Sequence, residues 1–467
     1  MTEAASRLWA WLLAPKDIAA LVAFRVALGL LVTVSAVRFL AYGWVEELFN
    51  RSRIRFTYWG LDGLTAPSPE GMRWVFVGLA VLGLCVAAGA FYRLSLALLF
   101  VTFTYVQLLD VTNYLNHYYL VSLLLGLMCA VPAHRAFSVD AWRRPALRQS
   151  WLPAGCTYLL RFQVAVVYVF AGLAKLSGDW LLYAQPLHIW LSARTGLPLV
   201  GPLLDERWVA YVAAWSGFLF DTTIVAFLLA RRTRPFAYVA VVGFHAATAA
   251  LFPIGMFPVI MVTAALVFFD PSWPRRPWRS RGAAPELPAP PSPPRPGRGA
   301  WVGLGVAVAY GLVQLVLPLR THFYGGNVLW HEQGMRFSWR VMAREKNGSV
   351  LFLVSDPRTG REWHVPPSAY LTRLQEREMS VQPDLILQLA HRIARDYAAR
   401  AGGPVEVRAD ARVSLNGRPA EIFLDPQVDL ARVEEGLAPK PWIQPAPEGP
   451  PVRLRAARTR GAGPGSS

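Results

Sequence analysis

The sequence predicts an α-helical polytopic membrane protein of about nine transmembrane helices, followed by a C-terminal non-cytoplasmic α+β domain of β-sandwich-like character. Three observations predict it. Hydrophobic residues make up 54% of the 467 and charged residues only 16%, with 18 Trp and 24 Phe, a balance foreign to soluble chains of this length. Nine apolar runs approach or reach the roughly 17 to 25 residues that cross a bilayer. Past residue 320 those runs stop and short alternating segments begin.

The runs lie near 18–41, 72–91, 94–112, 115–133, 155–175, 208–230, 236–252, 254–270 and 300–318. The first, from Ile18 to Ala41, is too long for a cleavable signal and lacks a small-residue cleavage site. The seventh and eighth meet at Phe252-Pro253-Ile254-Gly255, which reads either as a tight turn or as a broken helix lining a cavity. With the N-terminus in the cytoplasm, the inside loops and terminus hold sixteen Lys and Arg and the outside loops six. That asymmetry orients the chain in the cell (inner) membrane with its C-terminal part outside. The net charge of +17 suits nucleic acid, but many of the arginines sit in short loops between apolar runs. Membrane lipid is therefore the expected partner and nucleic acid is not.

The organisation expected is a membrane domain over 1–319, containing a Pro/Arg-rich cytoplasmic linker over 271–299, then a soluble domain over 320–455 and a disordered tail over 456–467. Within the soluble domain, GSVLFLVSD, EWHVP, VEVRADARVSL and AEIFLD read as strands, with a turn at Asn416-Gly417. Asp384 to Arg400 reads as a helix between Pro383 and Gly402-Gly403, and Ser380 as an exposed position. Cys85, Cys129 and Cys156 show neither a disulfide framework nor zinc spacing. His322, His331 and Glu332 match no metal motif, and no metal is expected.

Lys175 is the candidate for chemistry. Only four of the 47 basic residues are lysines, and this one lies at the end of an apolar run. A lysine in an apolar site can surrender its proton, whereas arginine cannot. The bland alternative is an amine that snorkels to the surface or pairs with Asp179 at i+4. We expect Asp179 instead to sit nearer the outer surface and anchor the following loop, and no carboxylate within the same span opposes a neutral amine. Further polar groups are Asp110, Asn113, Asn116 and His117 between the third and fourth runs, His245 in the seventh, and Asp221 in the sixth. Capping and structural hydrogen bonding are their ordinary roles. Their coincidence in apolar spans points to one buried polar pocket. Tyr105, Tyr114, Tyr118, Tyr119, Tyr168 and Phe170 read as core packing or as the walls of a site for a flat lipophilic ring.

The stretches YRLSLALLFVTFTYVQLLDVTNYLNHYYL, AHRAFSVDAW, RFQVAVVYVFAGLAKLSGDW, FHAATAALFPIGMF, RFSWRVM, AEIFLDPQVDL and PWIQP give the chain its kinship. On them it resembles the vitamin K-dependent γ-glutamyl carboxylases and their bacterial relatives in the horizontally transferred transmembrane group. The resemblance implies an active-site lysine that deprotonates reduced vitamin K or menaquinol. The hydroquinone anion then reacts with O2, and the resulting strong base removes a γ-proton from a glutamate of a protein or peptide substrate. CO2 adds, and the quinone leaves as the epoxide. On this chain the family lysine falls on Lys175 and the Asn-His pair on Asn116 and His117. His245, Tyr168, Tyr114 and Phe252 are the expected cofactor-binding residues. The family's second lysine is replaced by Ala174, the animal enzymes continue well beyond the point where this sequence stops, and no cysteines match their outside-facing disulfide. Other readings are a membrane quinol epoxidase without carboxylation, and a non-enzymatic quinone- or lipid-binding membrane protein.

Overall fold

The computed structural model describes residues 2–276 and 287–452. The centre of the linker and the whole tail expected at 456–467 lie outside the described residues. In chain order, helix α1 (Glu3–Leu13) is followed by strand β1 (Pro15–Asp17) and then by α2 (Ala19–Ala41), α3 (Pro69–Ala88), α4 (Tyr92–Leu108), α5 (Asn116–Cys129) and α6 (Val139–Arg143). Strand β2 (Trp151–Pro153) pairs antiparallel with β1. Then come α7 (Ala154–Ala174), α8 (Gly178–Tyr183), α9 (Leu187–Ser192), α10 (Arg207–Leu229), α11 (Arg234–Leu251), α12 (Phe257–Ala265) and α13 (Arg298–Leu319).

A helix thus lies at each expected run. Five of them, α2, α3, α7, α10 and the helix beginning at Arg298, are long and apolar enough to cross a membrane. The helices around 92–108, 116–129 and 257–268 are apolar but shorter, because Asp110, Asn113 and the 252–256 break interrupt them. The break is a non-helical connection, with Gly255 at φ 59° where a side chain would be strained.

Two features hold the helical body together. At the α2–α3 crossing, a Cβ on Gly29 would come within 2.6 Å of the Gly83 carbonyl, so only glycine allows the backbones this close. Arg25 of α2, 1% exposed, donates to the carbonyls of Ala133 at 2.8 Å, Phe137 at 2.7 Å and Ala87 at 3.2 Å. One buried cation therefore ties the end of α3 to the loop after α5, where helix C-terminal dipoles favour positive charge.

The C-terminal domain, termed outer for its expected side, comprises α14 (Val328–His331), β3 (Lys346–Asp356), β4 (Arg361–Val365), α15 (Arg373–Met379), α16 (Pro383–Ala401), β5 (Glu406–Leu415) and β6 (Glu421–Ile422). Its four strands form one antiparallel sheet in the order β4-β3-β5-β6. The β-sandwich-like expectation is corrected here. Among the described residues this domain has a single sheet, and the apolar residues of α16 (Leu385, Ile386, Leu389, Ile393) form one core with the inward residues of β3 and β5. A long amphipathic helix does the covering that a second sheet would do in a sandwich. Asn416 (φ 49°) and Gly417 (φ 82°) carry the expected turn. Ser380 is also corrected: it is 3% exposed and donates to the Glu376 carbonyl.

Polar clamps fix the outer domain to the helices. Gln375 donates to Asp110 at 3.0 Å and to the Ile54 carbonyl, and Gln388 bridges Thr57 through both its amide atoms. Asp179, at the start of α8, accepts from Asn416 at 2.8 Å and from Arg418 at 2.9 and 2.6 Å. Asp179 is therefore an anchor, but its side chain holds the β5–β6 turn of the outer domain where the loop that follows it was expected.

Candidate functional site

Lys175 stands at the C-terminal end of α7 and is 6% exposed. Its Nζ donates to the Ala171 carbonyl at 3.2 Å and to Asp221 Oδ2 of α10 at 2.7 Å. The Trp180 ring lies 5.2 Å from the ammonium. Gly172 allows this meeting: a Cβ there would come within 2.6 Å of Thr222 Cγ2 and 3.0 Å of its backbone nitrogen. Without that glycine, α7 and α10 could not pack closely enough to pair their charges. As expected, no carboxylate of its own span faces Lys175, but the amine is not left without one. The carboxylate comes from another span, and Asp179 is committed to the outer domain.

Lys175 and Asp221 line a cavity of about 220 Å³ whose walls are mainly aromatic and aliphatic. Tyr168, His245 and Phe252 line it too, so five of the sequence-selected residues come together. The Tyr168 hydroxyl is 3.2 Å from His245 Nε2, and His245 Nδ1 is buried with no partner among the described residues. Phe220 and Phe244 stack at 4.0 Å beside them, and Phe257 lies 5.6 Å from the His245 ring. The 252–256 break turns the chain so that Phe252 and Phe257 both face inward.

The Asn-His pair is placed differently. His117 is not among the residues lining this cavity; its ring lies 6.0 Å from Phe257 and 4.5 Å from Tyr118. Asn116 accepts from the Tyr114 hydroxyl at 2.9 Å, and that hydroxyl accepts from the Phe337 N–H at 2.8 Å. Tyr114 lines a separate apolar cavity of about 300 Å³ between α2, α3, α4 and α15. Asp110 caps the turn at 111–113, its ordinary role.

Sequence reasoning missed the segment after α14. Trp339 is 1% exposed inside the helical core and stacks on Tyr119 at 4.8 Å, and Val341 and Met342 line the Lys175 cavity. Phe337, Trp339 and Met342 have φ of 63°, 59° and 51°. Non-glycine residues held there are strained, and such strain gathers at functional sites. The string RFSWRVM carried no glycine that could have signalled this backbone. Among the described residues, no group of three or more His, Cys, Asp and Glu could hold a metal.

The residues fit the head of a reduced quinone. The cavity offers flat apolar walls, an amine with a donor to spare, and one orphaned imidazole nitrogen. Residues 13–273 match the HTTM domain, and residues 300–449 match the vitamin K-dependent gamma-carboxylase, lumenal domain. The second match begins within α13, so that helix goes with the outer domain in the family's own division. No solved structure matches the chain. By these two matches, which run through both bodies of the molecule, the chain belongs to the vitamin K-dependent gamma-glutamyl carboxylase family.

Proposed function

We propose that the protein carboxylates glutamate side chains of a protein or peptide at the expense of reduced vitamin K or menaquinol, O2 and CO2, and that the Lys175–Asp221 pair is the proton acceptor that starts the cycle. The observation that carries this is a buried lysine and carboxylate 2.7 Å apart in the wall of an aromatic cavity. The bound quinol supplies, after reaction with O2, a base strong enough to take the γ-proton of glutamate before CO2 adds, and it is released as the epoxide.

The chain's own residues do the rest. As an ammonium–carboxylate pair, the site is neutral overall and can hold one more proton on Asp221; as amine and carboxylic acid it accepts the same proton on Nζ. The two groups share their protons across a 2.7 Å contact, so the base is the pair. His245 Nδ1 has no hydrogen-bond partner among the described residues and is free to bond a ring substituent, with Tyr168 fixing the imidazole through Nε2. Phe252, Phe244 and Phe257 flank the ring and keep water from the base formed later. His117 and Asn116 act from outside the wall, His117 through Phe257 and Asn116 through Tyr114 and Phe337. The reading includes nine spans, a cytoplasmic N-terminus and an outer domain on the non-cytoplasmic side. Cysteine at exposed Glu362 should then react with an impermeant thiol reagent in intact cells, and labelling only after lysis would reverse the topology.

The deciding assay supplies purified protein in lipid nanodiscs with reduced vitamin K, O2, labelled bicarbonate and a glutamate peptide. Both epoxide and fixed label should appear. Epoxide alone would make the protein a quinol epoxidase, and neither product would leave only quinone or lipid binding. Lys175→Arg should yield neither, because guanidinium cannot give up its proton. Lys175→Ala should be partly restored by a small amine.

A further inference from the structure

The corner between α7 and α8 separates the aromatic cavity from a more polar one of about 610 Å³. Neighbouring residues serve the two. Ala174 lines the polar cavity and Lys175 the aromatic one; Arg340 lines the polar cavity and Val341 and Met342 the aromatic one. The strained backbone at Trp339 and Met342 divides those side chains between the two sides.

Two arginines reach the polar cavity, and their situations differ. Arg418 is balanced by Asp179, which it grips with two guanidinium nitrogens at 2.9 and 2.6 Å. Arg340 pairs with no carboxylate among the described residues. Its side-chain bond is from Nη2 to the Thr321 hydroxyl at 3.2 Å, and its Nε is buried with no acceptor. Burial pulls its pKa down, but a guanidinium stays charged at any working pH. A permanent cation with unused donors therefore faces a cavity whose one lining carboxylate is already taken. The aromatic cavity, by contrast, is balanced by its own Lys–Asp pair.

We propose that Arg340 binds the side-chain carboxylate of the substrate glutamate in the polar cavity, next to the corner that carries Lys175; this rests on the carboxylation reading. The planar fork of the guanidinium matches a carboxylate in two parallel bonds. Nε is one of the two donors such a fork uses, and it is the atom left without an acceptor. The cavity is nearly three times the volume of the aromatic one, enough for a side chain together with its main chain, and the Asn327 side chain in its wall is a partner for peptide groups. A lipid phosphate is the competing occupant. The position of Arg340, one residue from the wall of the Lys175 cavity, favours the substrate.

The test uses the full-length protein in neutral-lipid nanodiscs and two short fluorescent peptides that differ only by one glutamate or glutamine. Wild type should bind the glutamate peptide at least about tenfold more tightly, as a charged hydrogen bond allows. Arg340→Gln should erase the preference while the melting temperature and quinol binding stay unchanged. Arg340→Lys, which keeps the charge and loses the fork, should keep only part of it, and it serves alone if glutamine at 340 prevents folding. A preference that survives both variants would overturn the proposal. So would a wild type that binds both peptides alike, or one whose glutamate preference vanishes when anionic lipid replaces neutral lipid. Wild type that prefers glutamate through Arg340 but fixes no CO2 would sink the carboxylation reading and keep this site. Carboxylation with an unchanged KM in Arg340→Gln would do the reverse.

Discussion

Two of the four lysines are buried beside a carboxylate, one in each body of the molecule, and they are built to opposite ends. Lys346 in the outer domain donates to the carbonyls of Trp330 at 2.7 Å and Val381 at 2.6 Å and to Glu332 at 2.9 Å. Three donors meet three acceptors, the Phe423 ring lies 4.5 Å away, and Glu332 is shared with Arg344 at 3.1 Å. Burial draws its pKa down to about 8 against the pull of Glu332, yet every proton has a place. Lys175 has two acceptors for three protons and a cavity beside it. The lesson is that burial of an ionisable group does not mark a site by itself. What separates a brace from a reactive group is an unfilled hydrogen-bonding position that opens on space for a ligand.

Four measurements sharpen or break this contrast. Lys175→Ala should cut product formation by roughly 10²- to 10⁴-fold, the usual worth of a positioned base. Its partner would be left buried and unpaired, so Lys175→Ala with Asp221→Asn should regain melting temperature without regaining activity. Recovery of activity in the double variant would make the lysine a brace like the other. Lys346→Ala should destabilise the outer domain by about 3–5 kcal/mol, as loss of one partner of a buried pair does. Limited proteolysis should then cut first within 345–415, and a variant as resistant as wild type would remove the distinction.

Gly172→Ala addresses the pairing itself. The added methyl meets Thr222, so about 1–3 kcal/mol of stability should be lost, with activity falling further than that loss explains. The smallest effect belongs to His391 of α16, which lies 3.3 Å from Glu435 and 2.8 Å from the Val433 carbonyl. The Glu435 hydrogen bond raises its pKa above the ordinary 6.5, with burial opposing. Its stabilisation is therefore complete below 6.5 and fades as pH rises through the folded value. Unfolding midpoints across that window should shift in wild type and stay flatter in His391→Gln.

Much of the architecture was legible. Apolar runs of spanning length gave the helices their places, because a chain in lipid must satisfy its backbone within each segment. Alternation gave the strands from 348 to 415, and Gly402, at φ 70°, ended the helix where expected. The buried lysine of the aromatic cavity stood out by its isolation among arginines. Its pairing was not legible. Asp221 stood out as a charge in the sixth run, but which span it faces depends on how closely α7 and α10 pack, and that turns on Gly172. The segment 337–342 was illegible for another reason. Its left-handed residues are Phe, Trp and Met, types with no local preference for that backbone, and of them Trp339 is buried in the helical core. The covering of the sheet by α16 in place of a second sheet likewise depends on tertiary packing.

The route of that segment sets an order for the protein's birth. Val341 and Met342 complete the wall of the Lys175 cavity, yet they are synthesised more than 160 residues after the lysine. While the ribosome is still making the linker, the pocket has its lysine, its carboxylate and its imidazole but one side is missing. On the proposed reaction, a half-made chain cannot seal an intermediate from water and cannot begin turnover on a quinol already dissolved in the bilayer. Competence arrives only when the last part of the chain has folded back onto the first.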